Sequence, residues 1–206
     1  MSSAKTFWEM IDAREEASPG ARPDIDAALW KTFGTRKAIM FTDLSGFTRL
    51  SVKSGIESFL GVIRSSHRLF EPLIHEAQGK ILKYEGDSLL VVFDTVESAL
   101  ETIDAMYLAA DGFNASRDIE ERVLLCVGLG FGDVLLVDEH ELFGLEVNLA
   151  SRLGEDTARP GEVLLTSAAA TALIDESLKD RIVAISDEPG DAVSMWSFRP
   201  KRSQAI

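Results

Sequence analysis

Ile81-Leu82-Lys83-Tyr84-Glu85-Gly86-Asp87-Ser88-Leu89-Leu90-Val91-Val92-Phe93 is the stretch on which the fold turns. Two apolar segments, 81–84 and 88–93, flank the tight Glu85-Gly86-Asp87 turn, the pattern of a β-hairpin. Upstream, apolar residues at Phe59, Leu60, Ile63, Leu69, Leu73 and Ile74 recur at helical spacing from Ile56 to Ala77. Before that helix, residues 37–42 read as a buried strand with Ala38-Ile39-Met40-Phe41 as its core. Downstream, residues 96–109 form an alanine-rich amphipathic helix, and the polar residues 111–121 form a loop. Residues 123–131 and 134–137 then read as a strand pair around Gly132-Asp133. The order is β-α-β-β-α-β, the ferredoxin-like pattern of an α+β domain. Residues 143–153 (helix), 163–166 (strand), 167–174 (helix), 182–185 and 194–198 (strands) add C-terminal elements to that core.

Residues 1–34 stand apart as a helical arm, possessing an apolar face of Phe7, Met10 and Ile11 and a second helix after Asp24 that includes Ile25, Leu29 and Trp30. Trp8 and Trp30 mark the arm for docking on its own domain or on a partner subunit, where it would cover or regulate the dimer, or for contact with a regulatory partner. Residues 35–206 form the main domain. Across the 206 residues, 34 acidic against 21 basic side chains give a net charge of −13, which repels a phosphate backbone and argues against nucleic-acid binding. No run approaches a membrane span, and Met1-Ser2-Ser3-Ala4-Lys5 lacks the apolar stretch of a signal peptide, so a soluble cytoplasmic protein without a membrane partner is expected. The single cysteine, Cys126, lies in an apolar run and reads as core filling. The histidines, His67, His75 and His140, read as structural or exposed, and no P-loop, HExxH or Ser-His-Asp pattern occurs.

Two aspartates stand where apolar strands run out: Asp43 after residues 38–42, and Asp87 at the hairpin tip. In a split βαβ sheet these elements are neighbours. The carboxylates would then meet at one sheet edge, as two-metal phosphoryl chemistry requires. The alternative gives Asp43 a helix cap and Asp87 a turn. The turn Leu44-Ser45-Gly46-Phe47-Thr48 offers backbone N–H groups to phosphate oxygens.

Phe41-Thr42-Asp43-Leu44-Ser45-Gly46-Phe47-Thr48 resembles the first metal-binding motif of class III adenylyl and guanylyl cyclases. Lys83-Tyr84-Glu85-Gly86-Asp87 is similar to the hairpin motif of that family, and residues 141–152 resemble its longest signature. The resemblance, to the compact bacterial type, implies two Mg²⁺ or Mn²⁺ ions on Asp43, Asp87 and the Leu44 carbonyl. It implies phosphate contacts at Gly46, Phe47 and Thr48, a ribose held by Asn148, and an α-phosphate met by Arg152. It also implies a head-to-tail homodimer, since the metal ligands and the Asn/Arg pair serve one site from different subunits.

Lys83 matches the lysine of adenylyl cyclases, whereas the second base-reading position, usually aspartate, falls on Glu141. The resemblance therefore implies an adenylate cyclase converting ATP to cyclic AMP and pyrophosphate. A cyclase for GTP or a pyrimidine nucleotide and a non-catalytic nucleotide-binding or dimerisation module are the alternatives. The family also supplies a basic residue near the last strands for the terminal phosphates. Here residues 186–191 are acidic, which leaves Lys179 and Arg181 as candidates.

Overall fold

Strand β1 (Gly34–Leu44) is apolar over consecutive residues because both of its faces are covered. Ala38 and Met40 point into a large core, and Ile39 and Phe41 into a smaller one on the opposite face; all four are at most 8% exposed. These relations come from a computed structural model of the chain, which describes residues 3–46, 55–185 and 195–203. Helix α3 (Ile56–Glu76), the hairpin β2 (Lys80–Glu85) and β3 (Ser88–Phe93), and helix α4 (Val96–Asn114) follow β1 in the expected order. Both helices cover one face of the sheet: Phe70 and Ile74 of α3 and Leu100, Ile103 and Met106 of α4 join Met40, Leu89, Val91 and Phe93 in the large core.

Among the described residues the sheet has eight strands, in the order β2-β3-β1-β4-β6-β8-β7 with β5 paired on β4. The remaining strands are β4 (Leu125–Val137), β5 (Glu141–Phe143), β6 (Val163–Thr166), β7 (Ile182–Ile185) and β8 (Met195–Phe198). The first four strands keep the ferredoxin-like order, β2-β3-β1-β4, all antiparallel. Beyond them, β6 runs parallel to β4.

Three local expectations change. Gly132-Asp133 is no turn: the two residues pair with Lys37 and Arg36, and β4 runs unbroken to Val137 because β1 extends back to Gly34. The turn comes at Asp138-Glu139, and Glu141–Phe143 folds back onto β4 as strand β5. The helix read from Phe143 therefore begins at Leu145 (α5, Leu145–Ser151) and runs on as a π-helix, Arg152–Thr157. The polar 111–121 loop is also shorter, since α4 reaches Asn114 and Ile119–Glu121 is a 3₁₀ turn. Asn114 explains the extension: its side chain exchanges hydrogen bonds with both backbone groups of Val123, 2.9 and 2.8 Å.

The arm forms α1 (Ser3–Glu16) and α2 (Arg22–Phe33). Phe7, Leu29 and Phe33 bury themselves with Val137 of β4 in a third small core, while Trp8 and Trp30 stay 48% and 46% exposed. The arm thus docks on its own sheet. Helix α4 starts on Thr95, whose hydroxyl accepts from the Ser98 N–H at 3.1 Å. Thr95→Ala is expected to cost about 1 kcal/mol of stability, read as a fall in Tm of about 3 °C.

Candidate active site

The end of β1 is fastened on both sides. Thr42 pairs with Leu89 of β3, and its hydroxyl accepts the Leu89 N–H at 3.2 Å; Asp43 pairs with Cys126 and Leu44 with Leu125 of β4. Asp43 therefore belongs to a strand. Gly86, at φ 62°, allows the tight hairpin turn that sets Asp87 at the tip. Ser88 Oγ donates to Asp43 Oδ1 at 3.4 Å, and the Asp87 carboxyl lies within hydrogen-bonding reach of Asp43.

Burial, and then the like charge of Asp87, push the Asp43 carboxyl up to about 6; the Leu44 N–H and the Ser88 hydroxyl oppose the rise. Asp87 is also raised, by burial first and by Glu155 next. Cys126 is buried beside them. Its thiol is pushed up to about 12, by burial and by Asp43, as an inert core residue.

Two half-buried carboxylates, both raised by burial and one of them raised further by the other's charge, fit a divalent cation. Among the described residues no group of three or more His, Cys, Asp or Glu forms a complete cage. One or two carboxylates completed by water or ligand oxygens are how Mg²⁺ is commonly held, so the donor set suits such an ion.

Helix α5 carries Asn148 and leads into Arg152, whose backbone N–H bonds to the Asn148 carbonyl. The helix lies unusually close to β4 because Gly128, Gly130 and Gly132 occupy alternate positions on the face opposite Val127 and Leu129. A Cβ on Gly128 would stand 2.1 Å from the Ala150 carbonyl oxygen and 2.4 Å from the Gly154 nitrogen. Glu146 pins the same helix: its Oε2 accepts from the Phe131 N–H at 3.2 Å and from Thr166 Oγ1 at 2.6 Å. Asn148 and Arg152 are exposed, and neither side chain has a partner among the described residues.

On β2 a bulge at Leu82 breaks the register between Ile81 and Lys83. It buries Leu82 and leaves Lys83 exposed, with Glu85 3.7 Å from its ammonium. Glu141 opens β5, and its Oε2 is buried with no hydrogen-bond donor among the described residues. Gly46 takes φ 102°; Phe47 and Thr48 lie outside the described residues.

Residues 35–188 match the family model of the adenylate and guanylate cyclase catalytic domain. The chain belongs to this family. Of the curated relatives, a putative adenylate cyclase 3 of Rhizobium meliloti is 31% identical over 129 residues, 63% of this chain and 22% of that protein. An adenylate cyclase of Streptomyces coelicolor is 32% identical over 152 residues, 74% of this chain and 37% of that protein. The chain thus spans well under half the length of these relatives. Among solved structures, the adenylate/guanylate cyclase/hydrolase of Silicibacter pomeroyi superposes with a TM-score of 0.68 at 25% identity, covering 82% of this chain and 98% of that one.

The cyclase fold brings together the residues named from sequence at β1 and the hairpin, and presents Asn148 and Arg152 on a neighbouring helix. It uses Lys179 and Arg181 elsewhere. Lys179 pairs with Glu176 at 2.8 Å, and Arg181 clasps the buried Asp104, Nη1 to Oδ2 at 2.8 Å. Sequence reading missed Glu155, which acts electrostatically on both aspartates from the π-helix, and Glu146, which fixes the helix of Asn148. The glycine alternation at 128, 130 and 132 was the available signal for the close helix.

Proposed function

We propose that this cyclase domain is an adenylate cyclase: ATP yields cyclic AMP and pyrophosphate at a site completed by a second copy of the chain. The observation that carries this reading is the closeness of Asp43 and Asp87 while Asn148 and Arg152 stand exposed on the same chain, without a side-chain partner among the described residues. One copy would offer Asp43, the Leu44 carbonyl and Asp87 to two Mg²⁺ or Mn²⁺ ions. Those ions, when bound, lower the pKa of the ribose 3′-hydroxyl and neutralise the triphosphate. The turn at Gly46, with Phe47 and Thr48, would meet phosphate oxygens.

The partner copy would supply the rest. Asn148 orients the ribose so that its 3′-oxygen lies in line with the α-phosphorus. That oxygen bonds to phosphorus as the bond to the β-phosphate bridge breaks; pyrophosphate leaves and the hydroxyl proton passes to solvent. The Arg152 guanidinium balances the charge that builds on the α-phosphate oxygens.

Base choice follows from donors and acceptors. Lys83 donates to N1 of adenine, and the undonated Glu141 oxygen accepts from the 6-amino group, satisfying a buried acceptor. Guanine would set its O6 against that carboxylate. Incubation with each of the four nucleoside triphosphates and Mg²⁺ or Mn²⁺ is expected to give cyclic AMP from ATP; absence of any cyclic product overturns the reading.

Shared sites make a sharper prediction. Asp43→Ala and Arg152→Ala chains, each inactive alone, are expected to recover about a quarter of wild-type activity when mixed equally, because half of the dimers then hold one intact site of two. Failure to recover activity, with mixed dimers present, would place both groups in one copy's site.

A further inference from the structure

After β4 the chain turns through Asp138 and Glu139, both in the left-handed region at φ 47° and 63°. Residues other than glycine hold such a conformation where their surroundings fix it. Asp138 is held by α1: its carboxylate accepts from the Ser3 hydroxyl and from the Ala4 N–H at 2.8 Å, and its own N–H donates to Ser3 Oγ at 3.2 Å. Glu139 is held by Lys80 at 2.7 Å. Two residues past Glu141, the Phe143 ring stacks on Phe7 of α1, centroids 5.4 Å apart and planes 5° from parallel, with Trp8 edge-on at 6.1 Å.

These contacts surround one residue. Glu141 lies two residues after Glu139 and two before Phe143, so α1 holds the chain on both sides of it. Lys80 opens the strand that carries Lys83 three residues later, so the Lys80–Glu139 pair ties the two base-reading segments together. Glutamate reaches farther than aspartate and has one more rotatable bond. A hydrogen bond from its oxygen survives only if the backbone beneath it is fixed.

We propose that α1 and the Lys80–Glu139 pair form a selectivity clamp. Lys80, Asp138, Glu139 and Phe143 are positioning residues that set the place of Glu141 relative to Lys83, and through it the preference for adenine over guanine. This inference rests on the cyclase reading above. The pair is exposed enough, at 40% and 75% of the side chains, to add little to stability, so removing it tests position with the fold intact.

The experiment uses the full chain and measures kcat and KM with ATP and with GTP, together with Tm and dimer mass. Lys80→Gln and Asp138→Asn are each expected to raise the ATP KM and lower the ATP:GTP preference about fivefold, the worth of one hydrogen bond, with kcat and Tm little changed. Lys80→Glu combined with Glu139→Lys is expected to restore the preference, which a purely structural role would not require. An active wild-type chain whose Lys80→Gln variant keeps the wild-type KM and preference overturns the clamp alone, and does so even if Asp138→Asn melts early. A wild-type chain silent with every triphosphate overturns the cyclase reading and the clamp together.

Discussion

Asp43→Ala is expected to lower the cyclase rate by about 10³-fold or more, the scale on which losing a metal ligand removes transition-state charge stabilisation. Without metal, the effect on stability should run the other way. Asp43 is held at about 6 in the fold against an ordinary aspartate value of 3.8. Between those values the folded chain binds more protons than the unfolded one, so metal-free stability falls as pH rises from about 4 to about 6 and stays low above that. For a half-buried group screened by solvent, the loss is about 1–2 kcal/mol. Asp43→Asn should therefore melt higher than wild type in EDTA at pH 8 and no higher at pH 4. Added Mn²⁺ should raise the wild-type Tm and leave the variant's unchanged. Urea unfolding at the two pH values checks the sign: equal pH slopes in the two proteins would mean that the fold does not raise the Asp43 carboxyl.

Gly128→Val is the second large effect, and it acts through backbone alone. The new Cβ would stand 2.1 Å from the Ala150 carbonyl oxygen and 2.4 Å from the Gly154 nitrogen. Neither atom belongs to a flexible side chain, so the helix must move off the sheet. Gly154 is equally confined, since its own Cβ would meet the Gly128 nitrogen at 2.9 Å and the Phe41 carbonyl oxygen at 3.0 Å. We expect a cost of about 3 kcal/mol or more, a fall in Tm of roughly 6–12 °C, and loss of turnover because Asn148 and Arg152 move with the helix. Gly112→Ala is the matched control: the position is helical with open space around it, so the variant should be slightly more stable than wild type. A Gly128→Val protein that keeps both Tm and rate would refute the close-contact argument.

The order of the first four strands was legible because those strands are written as apolar runs and the hairpin as two such runs about a glycine turn. The ends of those runs also gave Asp43 and Asp87, since a charged residue at the close of a buried strand has little reason to be there for packing. Other features were not legible because one residue type serves opposite purposes. Gly132-Asp133 has turn composition, yet Gly132 is the last of three alternate glycines that clear the face of β4 for a helix. Asp138 and Glu139 have no glycine to announce a left-handed turn; contacts from Ser3, Ala4 and Lys80, distant in sequence, hold it. Asn148 and Arg152 follow ordinary helical spacing, so only the resemblance singled them out. Glu155 was hidden because the chain passes from α-helical to π-helical winding at Arg152, a change no periodicity signals.

The placing of β8 bears on how the protein can be cut. The family match ends at residue 188, before β8. That last strand lies between β6 and β7, and Phe198, 2% exposed, fills the main core. At the other end, Phe7, Leu29 and Phe33 close over Val137. A fragment trimmed to the shared catalytic segment would lose the lid of one core and a wall of another, and would leave β7 with no neighbour. The unit that closes these cores is therefore longer at both ends than residues 35–188.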